Sequence, residues 1–101
     1  MNQLQLVASV AEREILRFTP AGIPIVSAQL HHASQQKEAG IDRSIGFEIS
    51  AVAVGEISGR FSQAVLGLTY RFTGFLARKN RNSKALVFHI IDFEPNIESG
   101  A

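Results

Sequence analysis

The sequence predicts a small all-β domain of five strands, with a short helical segment between the third and fourth strands. Five segments alternate apolar and polar residues with a period of two, the pattern of a strand buried on one face. A further segment has apolar residues at intervals of four, which indicates helical turns. The 101 residues have room for one hydrophobic core, so we expect a single domain over residues 1–101.

The first two strands are predicted to form a hairpin. Apolar side chains occupy every second position of the first strand, at Leu4, Leu6, Ala8 and Val10, and residues 15–18 are expected to extend it past a charged bend. Residues 20–24 contain two prolines, which lack a donor for the strand ladder, so this segment is predicted to be the turn. The second strand is expected over residues 25–32.

The middle of the chain is predicted to hold a loop, a long strand and a short helix. Residues 33–42 are polar and include a glycine, which favours a loop. A long third strand is expected over residues 43–54. Residues 56–64 are predicted to form one or two helical turns, because apolar side chains recur there at intervals of four: Ile57, Phe61 and Val65.

The last two strands are predicted over residues 68–73 and 86–91. Gly74, directly after the fourth strand, indicates a β-bulge or the close approach of another backbone. Residues from about 96 onward are expected to form a flexible tail.

This order of elements is the layout of an OB-fold barrel. SH3-like barrels and fragments of β-sandwiches also offer five strands, but they do not require a helical turn between the third and fourth. The sequence therefore predicts a five-stranded OB-fold barrel with a short helical segment between strands three and four.

Charge is unevenly distributed along the chain. Four of the ten basic residues lie within seven positions that contain no acid: Arg78, Lys79, Arg81 and Lys84. The remaining six face nine acidic residues, so the rest of the chain has a net charge of −3. A mildly acidic domain thus carries one basic loop, residues 78–84, between its last two strands. At the rim of an OB barrel such a loop can follow a phosphate backbone.

Composition and motifs argue against an enzyme. The chain has no cysteine, which excludes disulfides, zinc ribbons, iron–sulfur clusters and thiol nucleophiles. It contains no nucleophile elbow, phosphate-binding glycine loop or dinucleotide fingerprint. His31 and His32 are adjacent on a strand and point to opposite faces, so they cannot bind one ion without distortion. We expect no catalytic residue, no metal and no cofactor.

No segment reaches the roughly 18 apolar residues of a membrane span. The first residues also lack the basic region and apolar stretch of a signal peptide. We therefore expect a cytoplasmic protein with no membrane partner.

Several stretches resemble the primosomal replication protein N (PriB) family in order, spacing and total length. They are NQLQL at 2–6, PAGIP at 20–24, LHH at 30–32, EAG at 38–40, TGFL at 73–76, SK at 83–84 and ESG at 98–100. The resemblance implies an OB-fold homodimer that binds single-stranded DNA. It also implies partners: the primosomal helicase and helicase-loading proteins that restart stalled replication forks.

The resemblance also implies positions for DNA binding. Lys84 matches a basic residue of the family near the end of the loop between strands four and five. Arg17 matches a basic position before the first turn, and Arg43 a basic position at the start of strand three. The loop is shorter than in some relatives, so its other basic residues correspond to the family only as a group: Arg78, Lys79 and Arg81.

Phe47 has two interpretations. It shares a face of strand three with Ile45 and Ile49, and we favour its burial in the barrel core. Some family members present a base-stacking aromatic in this strand, but the matching position here is Gly46, so Phe47 stays only as a candidate for stacking. The aromatic residues of the last two strands are expected in the core or in a dimer interface: Tyr70, Phe72, Phe88 and Phe93.

Three functions remain open from the sequence. The first is a single-stranded DNA binder in replication restart, and the second is a protein-interaction module whose basic loop contacts an acidic partner. RNA binding of the cold-shock type is disfavoured, because strand three lacks the aromatic motif.

Overall fold

The structure is a computed structural model that describes residues 1–96. Over these residues the elements, in chain order, are β1 (Leu4–Arg13), β2 (Arg17–Phe18), β3 (Pro24–Glu38), β4 (Ile41–Val54), α1 (Glu56–Phe61), β5 (Thr69–Arg78) and β6 (Leu86–Pro95). Apart from its first residue, the tail expected from about residue 96 lies outside the described part of the chain.

The five long strands form a closed barrel. Their order is β1, β5, β6, β4, β3, and β3 pairs back with β1. The pair β4–β6 is parallel and the other four are antiparallel. The short β2 pairs with the start of β3 and lies outside the barrel ring. The OB-fold prediction is confirmed, with α1 between the third and fourth long strands.

The core is built from the inward face of each strand and closed by α1. Phe61 of the helix is fully buried, with its ring centroid 6.1 Å from that of Phe72 and 5.7 Å from that of Phe93. Tyr70 is buried as well, and its hydroxyl accepts a hydrogen bond of 2.9 Å from the backbone N–H of Val65. Phe88 is fully buried, and Phe93 packs against the core from a half-buried position. Core positions for these four strand aromatics are therefore confirmed.

The predicted loop over residues 33–42 is wrong. Strands β3 and β4 pair continuously up to Glu38 and Ile41, and they are joined by the two-residue turn Ala39–Gly40. Both turn residues have positive φ, at 53° and 77°, as a two-residue hairpin of type I′ requires. Polar side chains bridge the exposed strands, as in the 2.8 Å hydrogen bond from Gln35 Nε2 to Ser44 Oγ. The hairpin is held by its backbone ladder and needs no apolar face.

Gly74 lies at a register shift between β5 and β6. Thr73 pairs with Asp92 whereas Gly74 pairs with Ile90, so Ile91 is the extra residue of a bulge. A Cβ atom at Gly74 would lie 1.9 Å from the carbonyl oxygen of His89. The sequence prediction of a bulge or a close backbone approach is confirmed, and both occur at the same residue.

Arg60 joins the helix to β6. Its guanidinium donates hydrogen bonds to the Asp92 carboxylate and, at 3.0 Å, to the carbonyl oxygen of Phe93, whose ring centroid lies 4.6 Å from the guanidinium carbon. The hydrogen bond from Arg60 and a second one from the backbone N–H of Phe93 lower the pKa of Asp92. Because this pKa is lower in the folded state, the stabilisation is present above the unfolded-state pKa and is lost as the pH falls through the folded-state pKa.

Replacing Arg60 with glutamine is expected to raise the pKa of Asp92 toward the ordinary aspartate range, because the strongest partner of the carboxylate is removed. The measurement is an NMR pH titration of the Asp92 carboxyl carbon. As a matched control, Arg71→Gln breaks the neighbouring ion pair with Glu94 and should leave the pKa of Asp92 unchanged. An unaltered Asp92 titration in Arg60→Gln would contradict this assignment.

Among residues 1–96, no helix has the length and apolar character needed to cross a membrane.

Candidate nucleic-acid interface

A cleft of about 690 Å³ opens on the outer face of β3 and β4. One wall comes from residues 12–17, at the end of β1 and the start of β2. The other wall comes from β6 and the basic loop, with Val87, His89 and Lys79. OB folds bind oligonucleotides on this same face, between the loop after the first strand and the loop before the last.

The floor of the cleft is made of short or polar side chains. Ser27 and Gln29 come from β3, and Ser50 and Val52 from β4. Gln29 Nε2 donates a 2.8 Å hydrogen bond to Ser50 Oγ, which fixes the two side chains across the strands. Because this bond holds the Gln29 side chain across the strands, the floor leaves room in the cleft for a strand of nucleic acid.

Two predicted binding residues, Arg17 and Lys79, line this cleft on opposite walls. Arg17 donates a 3.1 Å hydrogen bond to Ser27 Oγ and lies 3.5 Å from the Glu14 carboxylate. The backbone N–H of Lys79 bonds to the Ala85 carbonyl oxygen at 2.9 Å, which closes the base of the loop. The Arg17 wall also carries the acids Glu12 and Glu14, so the electrostatic potential favours phosphates on the Lys79 wall.

The basic loop is short and ordered by its own polar groups. The N–H of Ser83 bonds to the Asn80 carbonyl oxygen at 3.2 Å, and the N–H of Asn82 bonds to Asn80 Oδ1 at 2.9 Å. Its four cations are all exposed: Arg78, Lys79, Arg81 and Lys84.

These loop cations differ from most of the others in the chain. Five basic residues form ion pairs with acids: Arg17, Lys37, Arg43, Arg60 and Arg71. Within the part of the chain that the structure describes, none of the four loop cations does so. Their charge is therefore available to an external anion.

The structure does not bring Arg43 to the cleft. Arg43 lies near the tip of the β3–β4 hairpin, where its guanidinium is 2.6 Å from the Glu38 carboxylate. Val52 on the cleft floor is nine residues further along β4, roughly 30 Å at the rise of an extended strand.

The predicted burial of Phe47 is wrong. Its side chain is 41% exposed, and its ring lies 4.9 Å from that of His32, with the planes inclined by 32°. The Nδ1–H of His32 donates a 2.7 Å hydrogen bond to the Val7 carbonyl oxygen, which anchors this ring pair. The strands β3 and β4 extend beyond the barrel, so the face that is inward at Ile49 is open to solvent at Phe47. The hairpin thus carries both Arg43 and Phe47, away from the cleft.

Sequence reasoning missed His89 as a cleft residue. This histidine lies outside the basic loop and outside the stretches that resemble the family. The alternation of Val87, His89 and Ile91 on one face of β6 was the available signal, since it places these side chains outside the barrel.

The sequence relatives agree with the fold and decide the family. Residues 2–92 match the model of a family described as another single-strand binding protein family. Replication restart protein PriB of Nitrosomonas europaea is 40% identical over 91 residues, which are 90% of this chain and 84% of that protein. The chain belongs to the PriB family. PriB of Bordetella pertussis is 38% identical over 90 residues, 89% of this chain and 84% of that protein.

Solved structures extend the comparison beyond PriB. The PriB structure from Ralstonia solanacearum has a TM-score of 0.88 and 42% identity, over 96% of this chain and 99% of that chain. The wild-type single-stranded DNA binding protein of Thermus aquaticus has a TM-score of 0.73 with 22% identity, over 99% of this chain and 52% of that chain. At that identity the second likeness shows a shared fold alone.

Proposed function

We propose that this PriB-family chain is a non-enzymatic accessory of replication restart that binds single-stranded DNA in the cleft beside its basic loop. The observation that carries the proposal is the basic loop, whose four cations are unpaired with any described acid and whose Lys79 lines an open cleft on the OB binding face. The names of the relatives support the restart role, and the relatives' family description supports binding to single strands.

The loop and the cleft have separate tasks in this proposal. The cations of the loop neutralise phosphates and release counterions, which gives affinity without regard to sequence. The cleft receives the bases of the flexible strand, which a duplex keeps inside its own stack. Arg17, on the opposite wall beside Glu12 and Glu14, contacts the bases of the strand and not its phosphates. Arg43 and Phe47 on the hairpin contact only a longer strand that runs past the cleft.

A titration of one labelled oligonucleotide, single-stranded and then as a duplex, tests this proposal at two salt concentrations. Only a single strand can place its bases in the cleft, so the single strand is expected to bind at least about fivefold more tightly than the duplex, a difference of roughly 1 kcal/mol. Equal affinity for both forms would mean that the chain binds DNA by charge attraction alone, and it would contradict the proposal.

The second candidate function is a protein-interaction module that recruits the helicase or its loader. The connection between α1 and β5 favours it, because three apolar side chains are exposed there in one short segment: Val65, Leu66 and Leu68. In that case the loop cations bind an acidic segment of the partner. Two results together would select this candidate. The parent chain would bind no single-stranded DNA, and a variant of the basic loop would lose binding to the helicase.

We further propose that the chain forms a homodimer through β1. This strand pairs with β5 from Leu4 to Ser9 but with β3 only from Ser9 onward, so within residues 1–96 no strand covers its other edge from Leu4 to Ala8. An uncovered edge is a template for pairing with a second chain.

Sedimentation velocity at tens of micromolar, an order of magnitude suited to weak self-association, is expected to show a dimer. A species that stays monomeric over this range would contradict the dimer.

The proposed function includes a cytoplasmic location and no turnover of ATP or DNA by this chain alone. Hydrolysis by a helicase-free preparation, abolished by a substitution in this chain, would contradict it.

A further inference from the structure

The binding cleft has an aromatic wall. Phe75 on β5 and His89 on β6 are cross-strand partners, with ring centroids 4.8 Å apart and planes inclined by only 10°. Phe75 is 36% exposed on the outer face, and His89 is half-buried and lines the cleft. Among the described residues that line the cleft, His89 supplies the only ring.

These two rings begin a row of side chains that come from five strands. His89 is paired in register with Val52 of β4, and Val52 is paired with Ser27 of β3. Arg17 then donates its 3.1 Å hydrogen bond to the Ser27 hydroxyl. From one wall to the other, the row therefore runs Phe75, His89, Val52, Ser27, Arg17.

The spacing of neighbouring strands allows a slot above Val52 about as wide as a planar ring. Neighbouring strands are about 4.8 Å apart, so the backbones of β6 and β3 are separated by roughly 10 Å. A flat ring in contact on both faces needs roughly 7–8 Å between the groups that flank it, since carbon atoms pack best at about 3.5–4.0 Å. Val52 is short and buried, and it forms an apolar floor between the taller side chains.

We propose that a nucleobase of the bound strand inserts into this slot, with one face on the His89 ring and the other toward the Arg17 guanidinium. This rests on the proposed function, because it requires that the chain binds single-stranded DNA. Phe75 covers the back of His89 and holds the ring upright, so the stacking surface is formed before the strand arrives and little freedom is lost on binding. The adjoining phosphates lie on the Lys79 wall.

Stacking of this kind is tolerant of sequence, because every base has a π-face. The slot thus gives the cleft a contribution to affinity that does not depend on salt, alongside the salt-dependent contribution of the basic loop.

The first test compares affinities for an oligo-dT strand. His89→Ala is expected to weaken binding by roughly 5- to 150-fold, with the slope against log salt unchanged, because a stacked base is lost and no phosphate contact is. His89→Phe keeps a ring and should retain binding. Ile91→Ala serves as the matched control, since Ile91 is exposed on β6 outside the cleft. Thermal unfolding of each variant verifies that it is folded.

The second test remains decisive if His89→Ala proves unstable. The chain contains no tryptophan, so His89→Trp gives a protein with one tryptophan at the slot. Oligo-dT is expected to quench its fluorescence by stacking, whereas tryptophan in Ile91→Trp should respond little. Unchanged fluorescence in His89→Trp at saturating DNA would overturn the slot.

The two proposals fail in distinguishable ways. If the parent binds the single strand, but His89→Ala binds with parental affinity, the slot is wrong and the proposed function stands. If the parent binds no single-stranded DNA at any salt concentration, both are wrong.

Discussion

Replacing all four cations of the basic loop with alanine is expected to remove nearly all the salt dependence of single-strand binding. Each phosphate contact to a single strand contributes about −0.7 to the slope of log affinity against log salt, so four contacts give about −3. With that slope, raising the salt from about 50 to about 200 mM weakens the parent roughly 50-fold. The fourfold variant of Arg78, Lys79, Arg81 and Lys84 should bind weakly at both concentrations and with a nearly flat slope.

Single substitutions should divide this effect into equal parts. Lys84→Ala is expected to reduce the slope by about 0.7 and to weaken binding to every oligonucleotide sequence alike, because a phosphate contact carries no base information. Lys37→Ala is the matched control. It removes one exposed lysine from the β3–β4 hairpin, where the ammonium lies 3.6 Å from Asp42, and should leave the slope unchanged.

One result would contradict the assignment of phosphate binding to the basic loop. A fourfold variant that folds normally and binds single strands with the parent's affinity and slope would exclude the loop as the phosphate site. The protein-interaction candidate would then gain support, because the exposed cations would still need an anionic partner.

The fold was predictable from the sequence wherever one face of a strand is buried. Period-two alternation identified every barrel strand, and the spacing of Ile57 and Phe61 identified the helix that closes the barrel. The β3–β4 hairpin beyond the barrel was missed over residues 33–42 because both of its faces are solvated. Its strands are specified by backbone pairing and by the two-residue turn at Ala39 and Gly40, which hydrophobic periodicity does not report.

The candidate site was predictable only where it depends on local sequence. The basic loop is a cluster of charges within seven positions, so its sign and exposure follow from the sequence alone. The row from Phe75 through His89 and Val52 depends on strand register, which a bulge at Gly74 shifts by one residue. Register is not encoded in alternation, because an alternating strand keeps the same pattern after a slip of two residues. Phe47 was misjudged for a related reason, since alternation gives its face but not where the barrel ends.

Replacing Gly74 with alanine is expected to destabilise the protein strongly. The added Cβ would lie 1.9 Å from the His89 carbonyl oxygen, 2.8 Å from a ring carbon of Phe88 and 2.9 Å from the His89 carbonyl carbon. Two of these atoms belong to the backbone of β6, and Phe88 is fully buried, so no flexible side chain can move aside. We expect a loss of at least about 3 kcal/mol in the free energy of unfolding, at the upper end for overpacked positions.

Urea unfolding measures this loss of stability, and thermal unfolding should show a midpoint lowered by about 12 °C or more for a domain of this size. Gly46→Ala is the matched control, because its nearest atom, the carbonyl oxygen of His32, is 3.9 Å away, an ordinary contact. Since glycine in a strand is entropically costly, that variant should be neutral or more stable by up to about 1 kcal/mol. If Gly74→Ala had the same midpoint of urea unfolding as the parent, the result would show that β5 and β6 do not approach as closely as the bulge requires. The stack of Phe75 on His89, which depends on the register at this bulge, would then be wrong as well.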